Sequence, residues 1–163
     1  MKPAYTVTFL EMTERPKAKK PEFDVLHASP IPPAYFRAMY TEAGRKYHWI
    51  DQLRKPESEF IAYCNDNSNE MVSLIHDGAP AGFFVLNRCA KTVELVYFAL
   101  LDDAIGKGLG GKWLDFALDE AWTTQGCEKV ILDTCTLDHP RALPLYISKG
   151  FVITHTEDRP QQS

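Results

Sequence analysis

The sequence predicts an α/β protein built on one mixed, mostly antiparallel twisted sheet flanked by helices, with a βαβ crossover in its second half. Three observations carry this reading. Residues 71–76 (MVSLIH) and 81–87 (AGFFVLN) flank Asp77-Gly78, a pair that favours a tight antiparallel hairpin. The run strand, glycine cluster, helix and apolar strand over 92–135 has the form of a parallel crossover unit. The order along the chain is strands, two helices, three strands, helix, strand, helix, strand, which is neither all-α nor evenly alternating.

Residues 6–10 and 23–27 read as short strands on either side of a linker, 13–21, that holds two prolines and the basic residues Arg15, Lys17, Lys19 and Lys20. Such a charge run is expected to be a solvated loop rather than a binding patch. After the segment SPIPP, Phe36, Met39, Tyr40 and Ala43 recur at i, i+3, i+4 and i+7, giving an amphipathic helix that stops at Gly44. A shorter helix begins at Pro56 and carries Phe60, Ile61 and Cys64. The hairpin follows, then a strand over 92–101, a helix over 108–125 closed by Gly126, and the strand KVILDTC. The last helix ends at Lys149-Gly150 and must start near Arg141 or bend there, because Pro144 deep in a helix would remove a hydrogen bond. A final strand starts at Phe151.

The 163 residues suit a single domain, 1–163, and the balance of 45% apolar, 25% charged and 12% aromatic residues is that of a globular protein. A net charge of −4 is the wrong sign for a general nucleic-acid binder. Cys64, Cys89, Cys127 and Cys135 form no CxxC pair, so neither a zinc site nor a disulfide framework is expected, and no metal. No apolar run reaches the ~18 residues of a membrane span and no secretory leader is visible, so the expectation is a cytoplasmic protein without membrane or nucleic-acid partners.

The segment 104–112, AIGKGLGGK, joins a strand to a helix, where free N–H groups and the helix dipole can hold an anion. Three phosphate-binding patterns overlap there. Gly106, Gly108 and Gly111 satisfy GxGxxG, with Asp133 as a ribose-binding acid, but too little chain follows Asp133 for the further βαβ units of a dinucleotide fold. Residues 106–112 also fit GxxxxGK, with Trp113 standing where a P-loop needs Ser or Thr for magnesium.

The third pattern is [RQ]xxGx[GA] after a strand, and through it the chain resembles the GNAT superfamily of acyl-CoA-dependent N-acyltransferases. Lys107-Gly108-Leu109-Gly110 matches the family's pyrophosphate loop, and Ile105 stands where the family usually has Arg or Gln. The strand ELVYFAL, the fourteen-residue step from Glu94 to Gly108, the strand VILDTC and AxxxYxxxGF from Ala142 to Phe151 occur in the family's order. His139 lies where many members have Asn. The resemblance implies an N-acetyltransferase that moves an acetyl group from acetyl-CoA to a primary amine by direct attack in a ternary complex. It also implies a pyrophosphate on the amides of Ile105, Gly106, Lys107, Gly108, Leu109, Gly110, Gly111 and Lys112, and a pantetheine arm paired with main chain near Ala99 and Leu100. Lys107, Lys112, Arg141 and Lys149 are available for the nucleotide phosphates.

Amide formation from a thioester needs a proton taken from an ammonium and one returned to a thiolate. Glu94 is the candidate base: with both faces of its strand covered it is partly desolvated and its pKa rises, although alternation alone also allows an exposed glutamate. Tyr146 is the candidate acid by the same resemblance, and also a candidate core residue because it shares a helical face with Ala142. The acceptor site implied by the resemblance is lined by the first two helices and the loop between them, where Tyr47, His48 and Trp49 follow Arg45. Aromatic residues beside a cation suit a planar or carboxylated amine and are equally ordinary packing, with His48 as a second base. The acceptor is a small-molecule or peptide amine, a homodimer is left open, and the alternative function is a non-catalytic acyl-CoA-binding or sensing module.

Overall fold

The computed structural model describes residues 2–161. Seven strands form one sheet in the order β2-β3-β4-β5-β6-β1-β7, with β1 Tyr5–Met12, β2 Asp24–Ala28, β3 Asn69–His76, β4 Ala79–Cys89, β5 Thr92–Leu100, β6 Lys129–Cys135 and β7 Val152–Arg159. Every neighbouring pair is antiparallel except β5 and β6. The mixed, mostly antiparallel sheet with one crossover is therefore present, and the parallel sheet needed for dinucleotide binding is not. The crossover runs through α4, Gly110–Trp122, which begins and ends slightly inside the span expected from the sequence.

Helices cover both faces. On one side α4 and α5, Ala142–Ser148, pack a core of Leu10, Phe84, Leu86, Trp113, Leu114, Leu132 and Phe151. Across the sheet α1, Pro33–Gly44, and α3, Glu57–Asn65, pack Phe36, Tyr40, Phe60, Met71, Phe83 and Val85. Alternation along β4 divides these two sets, since Phe83 and Val85 face one core and Phe84 and Leu86 the other. Asp77 and Gly78 both have positive φ, 52° and 78°, the backbone a two-residue type I′ turn demands.

Three features lie outside what the pattern foretold. β1 pairs with β6 and β7, not with β2, which lies at the opposite edge of the sheet. The basic linker between them is strapped onto α4 by Arg15 to Asp119 at 2.9 Å and Lys20 to Glu120 at 2.6 Å. The segment after α1 makes a one-turn 3-10 helix, Arg45–Tyr47, and a short α2, Asp51–Arg54.

The feature that positions the site is a divergence of strands. In β5, Tyr97 pairs with Val85 and Leu95 with Leu86, which leaves Val96 as a bulged extra residue. A bulge bends its strand and increases local twist. The parallel pairing of β5 with β6 covers 92–94 against 129–131 and goes no further, so beyond Glu94 the two strands part. Among the described residues no helix is long and apolar enough to cross a membrane.

Candidate active site

The wedge between β5 and β6 opens into a cavity of about 790 Å³. Its lining takes Leu95, Phe98 and Leu100 from the α4 and α5 side of β5, and Tyr97 and Ala99 from the other side. The cavity thus passes through the sheet and joins its two faces.

One end is the glycine loop. After a 3-10 turn, Asp102–Ala104, Gly106 and Gly108 adopt φ of 83° and 74°, a left-handed conformation costly for residues with a Cβ. A Cβ at either would meet nothing within 4 Å, so conformation and not crowding calls for glycine there. α4 then starts with no side-chain cap, leaving its first-turn N–H groups free for an anion. Ile105, Gly106, Gly108, Gly110 and Gly111 line the cavity, as do Ala99 and Leu100. Lys107, Leu109 and Lys112 lie outside that lining. Lys149 is engaged with Asp115 at 2.9 Å, and of the four candidate phosphate cations Arg141 is the one on the wall.

α5 delivers Tyr146. The helix starts at Ala142, so Pro144 sits in its first turn, where a missing N–H breaks no hydrogen bond. Tyr146 is buried edge-on between Phe98 and Phe151, with ring centroids 6.3 and 6.0 Å away, and still reaches the cavity. Burial, then the charges of Asp138 and Asp133, hold its phenol well above the ordinary tyrosine range, so it is a neutral donor.

The carboxylates come from β5 and β6. Glu94 occupies the last parallel rung, opposite Ile131, and is itself not on the cavity wall. Asp133 lies two residues past Ile131 on the same face of β6, beyond the point of divergence, and is on the wall. Burial raises the Glu94 pKa first and Asp133 adds to it; burial and then Asp138 raise that of Asp133. Asp138 is held in place by Thr134 Oγ1 at 2.6 Å, the Cys135 amide at 2.9 Å and Trp49 Nε1 at 3.2 Å, all donating to its carboxylate.

Trp49 belongs to an aromatic wall. Its ring lies 5.7 Å from Tyr40 and 5.5 Å from Tyr97, and these two lie 5.3 Å apart. Trp49 folds back so tightly on α1 that a Cβ at Gly44 would come within 2.3 Å of it. Buried Gln52 braces the wall, its Nε2 donating to the Tyr97 hydroxyl at 2.9 Å and its amide to the Tyr40 hydroxyl at 3.3 Å. Burial pushes the Tyr40 pKa up to about 12. Tyr47 and Trp49 line the cavity together with His139, whereas His48, at φ 59°, is exposed and off the wall.

Sequence reasoning passed over Tyr40, Asp51, Tyr97 and Asp138, and two cations at the far end, Lys2 and Arg159, all on this wall. Tyr40 was hidden by its helical spacing, which reads as core. Lys2 and Arg159 come from opposite ends of the chain, and only the insertion of β1 between β6 and β7 brings them together.

The model of the acetyltransferase (GNAT) family matches residues 34–151. No curated protein matches the sequence. Similar solved structures include a GCN5-related N-acetyltransferase from Sphaerobacter thermophilus, 17% identical with a TM-score of 0.60, where 94% of this chain covers 50% of that one. Another, from Kribbella flavida, is 20% identical with a TM-score of 0.58, with 94% and 58% covered. An IAA acetyltransferase from Bacillus cereus is 23% identical with a TM-score of 0.56, with 81% and 79% covered. The chain spans between half and two thirds of the length of several of these structures. The matched region, which runs from α1 to the start of β7, is most of the sequence, and the chain belongs to the GNAT acetyltransferase family.

Proposed function

We propose that the protein moves an acetyl group from acetyl-CoA to a primary amine within a ternary complex. The observation that carries this is the cavity through the sheet, which joins a glycine loop and an uncapped helix start to a wall of aromatic rings and carboxylates, with Tyr146 on its lining. The residues present fit the cosubstrate. The amides of 105–111 take the pyrophosphate, and the β5 edge beyond Glu94, which has no partner on β6, offers main-chain groups to the pantetheine arm.

In this reading the amine nitrogen attacks the thioester carbonyl, a C–N bond forms and the C–S bond breaks. Asp133 meets the ammonium because it faces the cavity, and it shares the released proton with Glu94 on the adjoining strand. Their raised pKa values make both better bases than ordinary carboxylates. Tyr146 donates its proton to the departing thiolate and regains one from solvent. The test is free thiol released from acetyl-CoA: release that requires an added amine supports the reading, and heat protection by coenzyme A with no turnover on any amine would mark a binding module instead.

A further inference from the structure

We propose that the end of the cavity farthest from the glycine loop binds a carboxylate on the acceptor, so that the substrate is an amine with a carboxylate on an extended spacer, as in an ω-amino acid. The inference rests on the acetyl-transfer reading for the amine and on separate observations for the carboxylate.

Lys2 lines the cavity yet is only 6% exposed. Its ammonium sits 4.4 Å over the Tyr5 ring, and the carboxylate of Asp51, at 3.8 Å, is too far for a hydrogen bond. Among the described residues no side chain accepts a hydrogen bond from it. Its stem is covered while the residue lines the cavity, so a ligand entering there meets a cation whose only side-chain counter-charge, among the described residues, is the Asp51 carboxylate. Arg159 lies on the same wall, opposite Tyr5 in the β1–β7 register, with its guanidinium tied to Glu157. Two cations with Asp51 and Glu157 beside them suit a singly charged carboxylate better than a doubly charged phosphate.

The register sets the length of the spacer. Asp133 pairs with Phe9 on β1, and Arg159 pairs with Tyr5. Phe9 and Tyr5 are four residues apart on one face, which is about 13 Å of strand. The lysine and arginine side chains shorten that backbone span, the charge of Arg159 acting on the Asp133 carboxyl, and a spacer of several carbons suits what remains better than the single carbon of an α-amino acid. Between the two ends the wall is apolar and aromatic, with Val7, Phe9, Tyr40 and Trp49, which suits a hydrocarbon spacer.

The experiment compares glycine, 4-aminobutanoate and 6-aminohexanoate with methylamine, propylamine and pentylamine, their counterparts lacking the carboxylate, by amine-dependent thiol release. The expected result is at least a tenfold higher kcat/KM for 6-aminohexanoate than for pentylamine, no such gain for glycine, and loss of the gain in Lys2→Met with partial recovery in Lys2→Arg. Calorimetric binding of N-acetyl-6-aminohexanoate against N-pentylacetamide gives a second readout that needs no turnover. Equal values for acid and amine in both measurements, or a Lys2→Met variant that weakens both compounds alike, overturn the carboxylate site. Lys2-dependent binding of the acid with no acetylation of any amine upholds the site and overturns acetyl transfer.

Discussion

The two ends of the cavity are built in opposite ways. The glycine-loop end is drawn from neighbouring sequence: β5, the loop and the start of α4 lie within residues 92–113. The other end takes Lys2 from the segment before β1, Phe9 from β1 itself, Tyr40 and Trp49 from α1 and its loop, Asp133 and Asp138 from β6 and its turn, and Arg159 from the last strand. A local end tolerates change elsewhere in the fold, whereas an assembled end depends on every element that meets there. Perturbations of the two ends should therefore separate coenzyme A affinity from acceptor selectivity.

The largest effect is expected where the ends meet. Tyr146→Phe removes the proposed proton donor to the thiolate and should lower kcat by ~10²-fold or more while coenzyme A affinity stays near that of the wild type. Steady-state kinetics with isothermal titration separate the two quantities, and full activity in this variant would remove the phenol from the mechanism. Glu94→Gln should also slow turnover, and it should alter the pH profile. A base with a raised pKa becomes active as pH rises through that raised value, so the wild-type rate climbs with pH and the variant's climb is blunted.

Gly108→Ala acts at the other end. Holding alanine at the left-handed φ costs ~1–2 kcal/mol, so the loop shifts or strains. Weaker coenzyme A binding with little change in the preference among amines is the expected outcome, read by titration and by competition between two amines.

The smallest effect is on stability. The folded state holds the Glu94 proton more tightly than the unfolded chain does, so ionising this group opposes folding as pH rises from the ordinary glutamate range through the raised value. Glu94→Gln should accordingly melt above the wild type at neutral pH, and the difference should vanish in acid. Melting curves at several pH values check both the sign and the disappearance.

The same contrast explains what was legible in the sequence. The Asp77-Gly78 hairpin, the glycine loop, the helix start forced by Pro144 and the AxxxYxxxGF segment are short-range signals, and each stands where the pattern placed it. The bulge at Val96 has no local signature, because the alternation in ELVYFAL gives no sign of an inserted residue. The seat of β1 between β6 and β7 is a choice of strand partner, which periodicity does not encode. Of Tyr47, His48 and Trp49, the run shows three candidates, and only the fold-back onto Gly44 and the left-handed His48 decide which face the cavity.

A bisubstrate compound, coenzyme A joined through an acetyl bridge to the nitrogen of an accepted amine, tests most directly whether the two ends form one continuous site. If they do, tethering makes the second contact intramolecular, and the compound should bind at least ~10²-fold more tightly than coenzyme A alone. Binding no tighter than coenzyme A would contradict the continuous passage between β5 and β6.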